Sequence, residues 1–147
     1  MWSSIGALAI GAFWAIALCW WDIKYRRLPD NLTMPALCCV IMLAGRFHLS
    51  ALLGGVVWFL LYLLIAHVVG GIGGGDIKLA PTLGIVIGAA GVWPVFAAIL
   101  LAQMLSIMGA VILRQKKIPH GPAMILSTVV ILLCFPASST FIHFDRG

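Results

Sequence analysis

The sequence predicts an all-α polytopic membrane protein with six transmembrane helices and both termini outside. Three observations predict it. Hydrophobic residues make up 63% of the chain and charged residues 9%, against ~45–50% and ~25% in a soluble domain. The apolar residues fall into uncharged runs of about bilayer length, separated by short polar breaks. The lysines and arginines collect in alternate breaks, as the positive-inside rule requires. With 147 residues there is room for about six spans and no soluble domain, so residues 1–147 read as one membrane-embedded domain. The basic excess reports orientation: the lipid bilayer is the expected surround, and no nucleic-acid partner is expected.

The first apolar run, Trp2 to Trp21, has no basic residue before it and no small-residue cleavage site after it. It is an uncleaved span, not a signal peptide. Lys24, Arg26 and Arg27 follow it, placing residues 22–31 inside. Pro29 blocks simple continuation of the helix, and Asp30 or Asn31 can cap a new one. The second run, Leu32 to Gly45, is short, with Pro35 in its first turn, where proline is tolerated. Arg46 and His48 mark an outer loop. The third run, Leu49 to Val69, carries His67 near its inner end and leads into Gly70-Gly71-Ile72-Gly73-Gly74-Gly75-Asp76-Ile77-Lys78. Leu79 to Leu113 is uncharged and too long for one span, so it breaks at Gly91-Val92-Trp93-Pro94. A basic inner loop, Arg114 to Pro122, precedes the last run, Ala123 to about Phe144. Lys24, Arg26, Arg27, Lys78, Arg114, Lys116 and Lys117 lie inside in this layout, and only Arg46 and Arg146 outside.

The layout singles out two acids. Asp145 is near the tail and Asp30 reads as a helix cap, whereas Asp22 closes the first span and Asp76 opens the fourth, at the same inner face. The bland readings are a glycine-rich turn with Asp76 as an N-cap, and an Asp22 that snorkels or pairs with Lys24 or Arg26. Two carboxyls at one depth, one of them in a glycine loop, suit an aspartic protease. One carboxylate takes a proton from a shared water while the other, protonated, donates to the scissile carbonyl. That chemistry requires neither a metal nor a cofactor. A glycine-lined loop admits an extended peptide backbone.

Gly73-Gly74-Gly75-Asp76 matches the Gly-x-Gly-Asp signature of membrane aspartyl proteases, and the following Lys78 is typical of the type IV prepilin peptidases among them. Asp22 to Asp30, ending in Leu28-Pro29-Asp30, looks like their first aspartate motif. Ile118-Pro119-His120-Gly121-Pro122 is similar to their proline-rich segment before the last span. The chain therefore resembles the type IV prepilin peptidase family over nearly its whole length. The resemblance implies Asp22 and Asp76 as the catalytic pair. It implies Gly73, Gly74, Gly75, Lys78, Pro29, Asp30, Pro119 and Pro122 as substrate-binding. The implied function is removal of the leader from prepilins or pseudopilins at the cytoplasmic face of the bacterial inner membrane.

Larger members carry an N-terminal region with paired Cys-x-x-Cys motifs and a methyltransferase activity. This sequence opens at the part that resembles the peptidase core, so N-methylation is not expected. Cys19, Cys38, Cys39 and Cys134 form no Cys-x-x-Cys and read as small packing residues. His120 stands where the family often has an aromatic residue. Three rivals remain, the blandest a structural membrane subunit, for which the glycine loop has no obvious purpose. A presenilin-like intramembrane protease usually has a Tyr-Asp partner motif deeper in a span, but here Trp21 precedes Asp22 at a span end. A proton-coupled carrier using Asp22 and Asp76 as a relay would more often show an internal repeat. Of the remaining polar residues, His67 reads as packed or hydrogen-bonded, Gln103 as an interhelical hydrogen-bond former, and Lys78 as a partner for a carboxylate or anionic lipid. Trp2, Trp20, Trp21 and Trp93 read as an interfacial belt.

Overall fold

The computed structural model describes residues 2–44, 49–70, 72–115 and 118–135, with side chains from residue 6 onward. Among them are six α-helices and no strand: α1 (Trp2–Tyr25), α2 (Asp30–Ala44), α3 (Leu49–Val68), α4 (Gly74–Gly88), α5 (Val92–Leu113) and α6 (Gly121–Cys134). Among the described residues three segments are long and apolar enough to cross a membrane: Gly6–Tyr25, Leu49–Val68 and Val92–Leu113. Helices α2 and α4 have 15 residues each, about 22 Å at the α-helical rise, less than the ~30 Å of a hydrocarbon core. Arg46, His48, Gly71, Lys116, Lys117, Asp145, Arg146 and the end of the last predicted run lie outside the described residues.

The outward faces are apolar. Leu8, Phe13, Leu49, Leu100, Val111 and Leu133 are all strongly exposed, an arrangement that is favourable in lipid and not in water. The chain is a membrane protein on this ground, and polar groups are kept to the interior and the helix ends.

Helix α4 is the central element. It packs most extensively on α3 and also touches α2, α5 and α6. Its sequence explains this. Gly84 and Gly88 lie one turn apart and face Gly54 and Gly55 of α3. A Cβ at Gly84 would lie 2.5 Å from the Gly54 carbonyl oxygen and 2.8 Å from Gly55 Cα. Only glycine allows backbones this close, and in a bilayer close packing is the main attraction between helices. Around this seam, Leu18, Trp58, Tyr62, Leu79, Leu83, Ile87, Val95 and Met124 build the buried core.

Most element boundaries agree with the sequence, and the differences have local causes. The break after α4 falls where expected: Gly91, at φ 118°, caps α5, and Trp93 is 83% exposed beside it. Helix α2 begins at Asp30 rather than Leu32, because the Pro29 carbonyl already accepts from the N–H groups of Leu32 and Thr33. Pro35 thus sits in the second turn, not the first. Helix α1 runs on to Tyr25, so Asp22 lies in its last turn. Cys38, Cys39 and Cys134 face outward instead of packing, and only Cys19 is half-buried against the core. His67 is exposed rather than packed.

Candidate active site

The glycine run is not a loop throughout. Helix α4 starts at Gly74 with Gly73 as its extended N-cap, so Gly74, Gly75 and Asp76 form its first turn. Asp76 is therefore not the N-cap. Its amide donates to the Gly73 carbonyl at 3.0 Å, and its carboxyl lies over Gly73, where a Cβ would come within 3.2 Å of Oδ2. Gly75 is pressed against Leu28, with a Cβ there falling 2.9 Å from Leu28 Cβ. The close approach fixes the first turn of α4 against the segment between α1 and α2.

Asp22 arrives from the other side. It is 5% exposed and Asp76 is 9% exposed. The pairing of Asp22 with Lys24 or Arg26, the bland reading of this acid, does not form. Lys24 Nζ lies over the Trp20 ring, 4.7 Å from its centroid, and Arg26 Nη2 donates to Gln115 Oε1 at 3.4 Å. Instead the Gly121 N–H, at the start of α6, donates to Asp22 Oδ2 at 3.0 Å. A side chain at position 121 would collide with that carboxyl, since a Cβ would lie 2.8 Å from Oδ2.

Asp22 and Asp76 together line two adjoining cavities. One, of about 570 Å³, is walled by Arg26, Ile72, Gly73, Gln103, Ser106, Ile107, Ala110, Ile118, Pro119 and His120. The other, of about 430 Å³, is walled by Arg26, Arg27, Leu28, Gly73, Gly74, Gly75 and Lys78. Among the described residues, no group of three or more His, Cys, Asp or Glu side chains is placed to hold a metal ion.

Of the other expected site residues, Gly73, Gly74, Gly75, Lys78 and Pro119 face these cavities. Pro29, Asp30 and Pro122 are not in either lining. Pro29 starts α2 through its carbonyl, Pro122 stands in the first turn of α6, and Asp30 Oδ1 accepts from Lys78 Nζ at 2.7 Å. The carboxylate partner foreseen for Lys78 is thus Asp30. Both partners of this pair are exposed, so it contributes little to stability.

A family model described as the type IV leader peptidase family matches residues 9–135. The chain belongs to the type IV leader peptidase family. No curated protein and no solved structure matches it. Family membership makes this membrane protein a protease of the leader-peptidase kind.

In this leader peptidase one cluster went unread in the sequence. Gln103 Nε2 donates to Tyr62 Oη at 3.3 Å, the interhelical bond expected of Gln103. Tyr62 Oη in turn bonds His120 Nε2 at 2.8 Å, and His120 Nδ1 bonds Ser106 Oγ. Tyr62 and Ser106 carry no motif, and His120 only broke one. The spacing of Gln103 and Ser106, three apart on an apolar helix, was the available signal, since neighbours at that spacing share a helix face. Burial holds the His120 ring below the ordinary imidazole range.

Proposed function

We propose that the protein is an aspartic endopeptidase of the bacterial inner membrane. It removes the leader of type IV prepilins or pseudopilins at the cytoplasmic face, with Asp22 and Asp76 as the catalytic pair. The observation that carries this reading is that two buried aspartates, from helices distant in sequence, line the same two cavities. Two carboxyls facing one space hold a single proton between them, because both cannot readily be charged. The ionised partner takes a proton from water as the water attacks the scissile carbonyl. The protonated partner donates to that carbonyl oxygen, and the tetrahedral intermediate then collapses with protonation of the leaving amine. The glycine-lined cavity at Gly73, Gly74 and Gly75 accepts the extended leader. The apolar outer faces allow the substrate's hydrophobic helix to lie alongside in the bilayer by van der Waals packing.

Six spans with both termini outside complete this reading. The gathering of Lys24, Arg26, Arg27, Lys78 and Arg114 in alternate breaks between the apolar runs supports it.

The test uses proteoliposomes of the full chain and a prepilin substrate. Asp22→Asn and Asp76→Asn should each reduce cleavage by about 1,000-fold or more, and the double variant should be no worse than either. Near-full activity in either variant would remove the aspartic assignment. A single cysteine at Gly74, in a background lacking Cys19, Cys38, Cys39 and Cys134, should react only with a membrane-permeant reagent. Labelling from outside would put the cavity that both aspartates line on the outer face and end the proposal.

A further inference from the structure

The N-terminus of α6 is where the Asp22 carboxyl is held, yet no side chain caps that terminus. Its N-cap, His120, makes no side-chain capping bond. The ring reaches away instead, to Tyr62 on α3 and Ser106 on α5. It also lies against the Tyr62 ring, with centroids 5.7 Å apart. The residue next in sequence donates to Asp22.

One assignment of the hydrogens leaves no Tyr62 or His120 hydrogen without a partner. In it Gln103 Nε2 donates to Tyr62 Oη, which sends its own hydrogen to His120 Nε2. His120 Nε2 then carries the lone pair and Nδ1 carries the proton, which is donated to Ser106 Oγ. Only the neutral ring completes this chain. Its burial favours the neutral form. A protonated ring would leave the Tyr62 hydroxyl without an acceptor. The charged or titratable groups sharing its cavity are Asp22, Asp76 and Arg26.

We propose that His120 is a positioning residue for Asp22. Its ring, pinned between Tyr62 and Ser106, sets the first turn of α6 so that the Gly121 N–H meets Asp22 Oδ2. That bond orients one carboxyl oxygen and leaves the other free to face the cavity. The catalytic consequence rests on the reading of Asp22 as a catalytic carboxylate. The positioning itself does not.

The test pairs kinetics with a direct view of the carboxyl. All four acids of the chain are aspartates, so protein labelled with ¹³C at the aspartate carboxyl gives four side-chain resonances. That of Asp22 is assigned by its loss in Asp22→Asn. Tyr62→Phe keeps the ring and its packing and removes only the hydroxyl. It should shift the Asp22 resonance and lower kcat about 10-fold while KM stays within about 2-fold. His120→Ala should do at least as much, and His120→Gln, which can still accept from Tyr62, should recover part of the loss. The Tyr62→Phe/His120→Ala double variant should be no worse than His120→Ala, because the residues act as one unit. An Asp22 resonance unmoved in both single variants would overturn the proposal, as would a rise in KM at constant kcat. If the wild type cleaves no prepilin while the Asp22 resonance still shifts, the proposed substrate is wrong and the positioning stands.

Discussion

The two ends of α3 are held by opposite means. Toward its start, Gly54 and Gly55 bring backbone against the backbone of α4 at Gly84 and Gly88. Further along, Tyr62 is tied to α5 and to the start of α6 through Gln103 and His120. The first contact is dry and made of shape. The second is a chain of hydrogen bonds beside a cavity. The seam has no slack for added volume at Gly84 and Gly88, because the atoms that a new Cβ would strike there are backbone and cannot rotate away. The polar end has space, but each buried donor there needs its acceptor. A rigid seam thus presents Asp76 on the first turn of α4, and a hydrogen-bonded terminus presents Gly121 to Asp22.

Adding volume to the seam should break this contrast most severely. Gly84→Leu forces α3 and α4 apart and should cost about 3 kcal/mol of stability, near the top of the range for overpacking. Thermal unfolding in detergent reads it, and an unchanged midpoint would show that the helices are not locked there. Activity should fall along with stability, in contrast to Tyr62→Phe, which touches the polar end alone.

A smaller effect sharpens the comparison at the junction between seam and cavity. Gly75→Val pushes the first turn of α4 off Leu28, where a Cβ already comes within 3.1 Å of the Leu28 amide nitrogen. Displacement of Asp76 by about 1 Å should cost on the order of 100-fold in kcat/KM. At Gly74 a Cβ meets nothing within 4 Å, so Gly74→Ala should cost much less. Equal losses at the two positions would mean that the cavity lining, not the Leu28 contact, sets the requirement for glycine.

The smallest effect belongs to the surface pair. Lys78 and Asp30 are 44% and 59% exposed, and Lys78→Met should change stability by less than about 1 kcal/mol. A larger fall in the unfolding midpoint would make this pair a third clamp, joining α2 to α4.

The apolar runs, the break at Gly91 and the two aspartates were legible because each depends on local chemistry. An uncharged stretch becomes a buried or lipid-facing helix wherever it lies, and Gly91 before Val92-Trp93-Pro94 turns the chain whatever surrounds it. The start of α4 inside the glycine run was less so. Glycine permits helix and loop alike, and the packing of Gly75 on Leu28 decides between them. The outward orientation of Cys38, Cys39 and Cys134 was hidden for a related reason. In a membrane helix an apolar residue is at home on either face, so hydrophobicity no longer reports burial. Gly84 and Gly88 could have been read, since two glycines four apart in an apolar segment mark a close helix contact.

The sequence by itself determined the all-helical membrane class and most of the helix bounds, and singled out two acids, through composition, run length and motif order. Only the tertiary structure decided what each acid touches. Asp22 meets an amide 99 residues away in sequence, and Asp30 rather than either member of the pair takes Lys78. Hydrogen bonds are directional and short, so which groups meet depends on how the helices cross, and no local pattern encodes that.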